Sequence, residues 1–177
     1  MQKAIFLDRD GVINALVPML NDLRNSPRNA GEFVVLPGVA EAINLLKEAG
    51  WLVIVVSNQP NVAKGKSTFA DLEAITNKMI SDLSIKGAYV DDVYYCLHHP
   101  DPKQVVRKSL LKECDCRKPK PGLLIQATKD WNIDLSQSWM IGDSDTDIQA
   151  GLAAGCKTLL VTGGLKSEDI YRLCRPR

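Results

Sequence analysis

The sequence has almost no excess charge. Its 22 lysines and arginines against 21 aspartates and glutamates leave +1, so no global field argues for nucleic acid or an anionic membrane as a partner. No window approaches the roughly 18 apolar residues that a membrane-spanning helix needs. Met1-Gln2-Lys3 runs straight into Ala4-Ile5-Phe6-Leu7-Asp8 without the apolar stretch and small-residue cleavage site of a secretory signal, so a cytoplasmic location is the expectation. Repeats, low-complexity segments and linkers are missing too. With 177 residues and 45% hydrophobic content, residues 1–177 are expected to form a single domain around one well-buried core. The five cysteines are an odd number. Three of them, Cys96, Cys114 and Cys116, crowd near the adjacent His98 and His99, which suits a reducing compartment and a metal better than disulfides.

Short apolar runs alternate with helical periods along the chain. Ala4 to Asp8 reads as a buried strand, and Trp51 to Val56, Val90 to Cys96, Trp139 to Gly142 and Thr158 to Thr162 as further strands. Between them, Pro37-Gly38 opens a helix whose apolar face is expected from Val39, Ala42, Ile43, Leu45 and Leu46, with Gly50 ending it. Thr68 caps a second helix running to about Leu83. Helices also start at Pro121 and Asp145, and Ser167 to Arg175 suggests a short terminal one. Residues 14–36 show no sustained period and form a long loop, with room for a small flap. This alternation implies right-handed crossovers and a doubly wound, Rossmann-like α/β fold with a parallel sheet. Ligands in such folds bind beyond the carboxyl ends of the strands, where the sequence puts Asp8, Ser57 and Asp143.

Two acidic clusters follow apolar strands. In Asp8-Arg9-Asp10-Gly11 the carboxylates stand two residues apart, so one can attack while the other handles protons; a polar turn is the plain alternative. Gly142-Asp143-Ser144-Asp145-Thr146-Asp147 offers three more. Magnesium favours a few carboxylate oxygens together with substrate phosphate, so Asp8 and Asp143 make a suitable site; helix capping by Asp143 or Asp145 is the alternative. Ser57-Asn58 supplies a hydroxyl and backbone amides for phosphate oxygens, and Lys118 a positive charge to neutralise them. Cys96-Leu97-His98-His99 and Cys114-Asp115-Cys116 bracket a stretch without apolar period. Three thiolates and one imidazole would make a closed, structural zinc site.

Taken in order, Asp8-x-Asp10, Ser57, Lys118 and Gly142-Asp143-x-x-x-Asp147 resemble the four motifs of the haloacid dehalogenase superfamily of phosphohydrolases, over roughly residues 3–162. The resemblance implies that Asp8 attacks phosphorus, and that Asp10 protonates the leaving oxygen and then activates water. It implies that Asp8, the backbone carbonyl of Asp10 and Asp143 hold Mg²⁺, that Ser57, Asn58 and Lys118 bind the phosphoryl group, and that Asp147 orients Lys118 or supports the metal. Within the superfamily, Asp8-Arg9-Asp10-Gly11-Val12-Ile13-Asn14, Ser57-Asn58-Gln59, Cys96-x-His98-His99-Pro100 and Cys114-Asp115-Cys116-Arg117-Lys118-Pro119 are similar to the D-glycero-D-manno-heptose 1,7-bisphosphate phosphatases and the histidinol-phosphate phosphatases. That likeness implies zinc on Cys96, His98, Cys114 and Cys116 but not His99, a loop pinned over the site, and Arg117 at a second phosphate or the polar end of the substrate. Pro60-Asn61-Val62-Ala63-Lys64-Gly65 departs from the small residues and arginine usual after Gln59, which puts substrate choice in question and leaves Lys64 as a further contact. No large cap domain is expected. The leading expectation is a monomeric phosphatase acting on a small phosphorylated sugar. Histidinol phosphate as substrate, or a non-catalytic binding module that kept the fold, are the competing readings.

Overall fold

In the computed structural model, which describes residues 1–19 and 22–161, five parallel strands form the central sheet. They are β1 (Ala4–Leu7), β4 (Leu52–Asn58), β5 (Asp92–Cys96), β6 (Trp139–Gly142) and β7 (Lys157–Leu160), in the order β5-β4-β1-β6-β7. Chain order reverses at β1, which sets its tip at the switch point where doubly wound sheets bind ligands.

Side chains on a strand alternate between faces, and here each face is a core. Ala4, Phe6, Leu52, Ile54, Val56 and Met140 join Leu123, Leu124 and Ala127 of α3 (Gly122–Trp131) and Ala150 of α4 (Asp145–Ala154). Ile5, Leu7, Val53 and Val55 point the other way, onto Ala40 and Ile43 of α1 (Val39–Glu48) and Ile75, Met79 and Leu83 of α2 (Phe69–Ser84). Both faces being covered is why these strands read as unbroken apolar runs. Among the described residues no helix is long and apolar enough to cross a membrane.

Several boundaries match the sequence reading and others differ, β4 running on through Asn58 and β5 starting only at Asp92. Thr68 and Asp71 make a reciprocal capping box at the start of α2. The apolar face of α1 is narrower than expected: Leu45 is 67% exposed and Ala42 is exposed. The face that meets the sheet is Val39, Ala40, Ile43 and Leu46, a spacing of three and four. The last strand begins one residue early, at Lys157, while Thr162 and the helix expected at Ser167 to Arg175 lie outside the described residues. Residues 14–36 do hold a small flap, an antiparallel pair of β2 (Val17–Met19) and β3 (Asp22–Asn25). No large cap separates Ser57 from Lys118.

Candidate active site

Register brings the acidic tips together. Leu7 lies opposite both Val55 and Ile141, so Asp8, Ser57 and Asp143 each sit one or two residues beyond the same row. One carboxylate oxygen from each of Asp8, Asp143 and Asp147 falls within 4.8 Å of the others. The expected pairing of Asp8 with Asp143 is therefore present, and Asp147 joins it. Gly11 makes that approach possible: its φ is +83°, and a Cβ there would collide with the Asp143 carboxylate.

Lys118 is buried and reaches this group from the side. Its Nζ lies 3.0 Å from Asp8 Oδ1 and 2.6 Å from Asp147 Oδ1, and donates to Val56 O at 2.8 Å. Burial alone would pull the ammonium down, but Asp8 and Asp147 hold it above the ordinary lysine value. Asp8 is raised, first by burial; Lys118 opposes this, while Asp147 and Asp10 add to it. One lysine thus compensates the acidic group only in part, and a divalent cation among Asp8 and Asp143 fits the excess negative charge.

Asp147 has a second contact that sequence spacing obscures. Its Oδ2 accepts from Ser144 N at 3.1 Å and Ser144 Oγ at 2.6 Å, so Ser144 and Asp147 cap α4. That leaves Asp143 and Asp145 out of the capping role which was the plain reading of the cluster.

The Asn58 side chain faces protein. Its amide donates to Lys118 O at 3.0 Å and accepts from Lys118 N at 3.1 Å, clasping the lysine backbone as a strand neighbour would. This contact occupies the Asn58 side chain. The Asp10 carboxylate is bound by Arg9 and Gln59 and is not one of the three that converge. Sequence reasoning gave no role to Arg9 or Gln59; a charged residue placed directly after a buried strand was the available signal.

Cys96, His98, Cys114 and Cys116 converge within 4.8 Å. Neighbouring ligand atoms are 3.2–3.9 Å apart, for instance Cys116 Sγ to Cys96 Sγ at 3.2 Å and to Cys114 Sγ at 3.3 Å, and His98 Nδ1 to Cys116 Sγ at 3.4 Å. A tetrahedral ion at ordinary zinc–sulfur and zinc–nitrogen distances needs edges of about 3.5–3.8 Å, so the set fits. His99 instead accepts from Asp101 N at 3.2 Å. Burial, then Lys64 and Arg117, depress its pKa, which sets a histidine between two cations near the loop. Arg117 donates Nη1 to His98 O at 3.2 Å. It also lines a cavity of about 240 Å³ with Pro100, Lys112, Glu113 and Lys120.

Acidic groups at strand tips and in the first turn of α4, a buried lysine bridging Asp8 and Asp147, and a serine beside them suit phosphoryl transfer on a doubly wound sheet. Comparison with known proteins agrees. Residues 115–176 match the family model described as HAD-hydrolase-like. The chain is 40% identical over 90% of its length to the D-glycero-beta-D-manno-heptose-1,7-bisphosphate 7-phosphatase of Escherichia coli K12, of which it covers 80%. Its identity to the Pasteurella multocida protein of the same name is 39%, covering 96% of this chain and 87% of the relative. The crystal structure of D,D-heptose 1,7-bisphosphate phosphatase from B. bronchiseptica, complexed with magnesium and phosphate, superposes with a TM-score of 0.76 at 34% identity, covering 99% of this chain and 89% of that one. The chain belongs to the HAD-like phosphatases, within the group typified by these heptose bisphosphate phosphatases.

Proposed function

We propose that this chain, acting as one domain, hydrolyses one phosphate of D-glycero-D-manno-heptose 1,7-bisphosphate, the 7-phosphate for which its relatives are named. The observation that carries the chemistry is Lys118 bridging Asp8 and Asp147 while Asp143 stands within reach of both. The Asp8 carboxylate attacks phosphorus as the ester oxygen departs with a proton from Asp10, leaving an aspartyl phosphate. Asp10, now the base, takes a proton from water, and the hydroxide displaces Asp8 to release inorganic phosphate. Ser57 and Lys118 neutralise the equatorial oxygens of the transferring group. Asp8, Asp143 and the Asp10 carbonyl would hold Mg²⁺, whose charge lets an anionic ester approach an anionic nucleophile. Zn²⁺ on Cys96, His98, Cys114 and Cys116 would have a structural role, fixing the loop that ends in Arg117 and Lys118.

The far end of the substrate meets Arg117, with Lys64 and His99 close by. A guanidinium fork suits a second phosphate, and this basic rim favours a bisphosphate over histidinol phosphate. Purified protein with Mg²⁺ should release phosphate from heptose 1,7-bisphosphate with kcat/KM about 10–10²-fold above histidinol phosphate, because one lost charge-assisted contact is worth about 1.5–3 kcal/mol. Equal or reversed preference in parallel assays would sink the substrate assignment.

The close approach at Gly11 gives a separate prediction. Gly11→Ala pushes Asp143 aside, so half-maximal activation should need about 10–100-fold more Mg²⁺. A magnesium titration of activity checks it; an unchanged midpoint would remove Asp143 from the cation site.

A further inference from the structure

We propose that Arg9, acting through Gln59, is a positioning residue that fixes both the Asp10 carboxylate and the direction of the Ser57 hydroxyl proton. The inference rests on the phosphatase reading above. Arg9 is fully buried and cannot touch substrate. Its Nε donates to Asp10 Oδ1 at 3.1 Å and its Nη2 to Asp10 Oδ2 at 3.2 Å. Its guanidinium also stacks on the Tyr95 ring, 5.5 Å from the centroid, and the Tyr95 hydroxyl is tied to Thr76 Oγ1 at 3.1 Å. Strand β5 and helix α2 thus hold the arginine in place.

The polarity of the network follows from one fact: a guanidinium has donors and no acceptor. Arg9 Nη2 lies 2.7 Å from the side-chain amide of Gln59, so the atom facing it must be Oε1. The Gln59 Nε2 group must then face the other way, where it donates to Asp10 Oδ2 at 2.7 Å and Ser57 Oγ at 3.1 Å. Flipping the amide would set donor against donor at Arg9 and acceptor against carboxylate at Asp10. Since Ser57 Oγ accepts from Gln59, its own proton is left for the reaction side, where Asp8 faces it. With a phosphoryl group in place, that proton serves a phosphoryl oxygen. Arg9 therefore dictates, across two hydrogen bonds through Gln59, that Ser57 is a donor, and by direct contact that Asp10 keeps one orientation.

The test uses Arg9→Lys, which keeps charge but loses the fork, and Gln59→Glu, which keeps shape but loses the donor. Each is assayed on an alkyl phosphate monoester, whose leaving oxygen needs a proton, and on p-nitrophenyl phosphate, whose leaving group does not. Expected for both variants is a loss of about 10²-fold or more in kcat on the alkyl ester, with the nitrophenol burst rate reduced less than about tenfold in Arg9→Lys. In Gln59→Glu, inorganic phosphate should inhibit about tenfold more weakly, because Ser57 now donates to the new carboxylate. Circular dichroism establishes folding, and if Arg9→Lys does not fold, Gln59→Glu decides alone. Parallel losses on both esters with unchanged phosphate inhibition would mean that the network is only structural and would overturn the inference. Asp8→Asn serves as the control: turnover there would defeat the phosphatase reading itself, whereas an inactive Asp8→Asn with parallel losses elsewhere defeats this inference alone.

Discussion

Asp8→Asn is expected to abolish phosphate release from every ester, by at least about four orders of magnitude, since loss of a covalent nucleophile leaves only binding and electrostatics. The same substitution should stabilise the protein. Burial, opposed by Lys118 and reinforced by Asp147 and Asp10, raises the folded pKa of Asp8 above its ordinary value of 3.8. The folded state therefore binds this proton more tightly than the unfolded chain does. Stability consequently falls as pH rises from the ordinary carboxylate range through the raised value, and it is the charged form that carries the penalty. Asparagine carries none. Without added Mg²⁺ the variant should melt higher near pH 7, by about 2–4 °C for each kcal/mol relieved, and the gap should close as pH drops below about 4. Mg²⁺ should narrow it from the other side by stabilising only the wild type. Melting curves across pH, with and without Mg²⁺, measure this directly. A variant that turns over, or one that melts lower throughout, contradicts the proposed site.

The second large effect concerns the cysteine and histidine cluster. Protein purified without chelator should carry one zinc per chain, and Cys114→Ser should lose it. A structural zinc contributes several kcal/mol to folding, so melting should fall by roughly 10 °C or more. Activity should fall as well, although Cys114 is not in the acidic group. Lys118 follows Cys116 by two residues, its backbone is held by Asn58, and its Nζ serves two carboxylates. Displacing a catalytic group by about 1 Å costs roughly 10²-fold. Metal analysis, melting and phosphate release on the same preparations separate the outcomes. An absence of zinc, or full activity in the zinc-free variant, would remove the loop from the mechanism.

How much of this was legible beforehand depends on the range of each interaction. Strand tips at Asp8, Ser57 and Asp143 follow from local apolar runs, because a strand buried on both faces must end where polar residues begin. Thr68 was legible as a cap for the same local reason. The exposed Leu45 was not, since which arc of α1 meets the sheet depends on where the helix lies, and leucine at helical spacing satisfies either arc. The hold of the Asn58 side chain on the Lys118 backbone was not legible either, because that partner lies sixty residues away. The resemblance already implied a contact of Asp147 with Lys118, but that its other oxygen caps α4 through Ser144 was not read from the run of acids.

The sequence by itself determined which residue types are available and at which strand ends they emerge, because periodicity and burial act over a few residues. It also brought the four zinc-suited side chains into two short pairs. Only the tertiary structure decided which carboxylates come close enough to share a cation, and which hydrogen bonds turn Asp10 and Ser57. Those outcomes require β1, β4 and β6 to lie side by side in one register and Arg9 to meet Gln59 across fifty residues. Hydrogen-bond polarity depends on the partner actually opposite, and no local pattern specifies that partner.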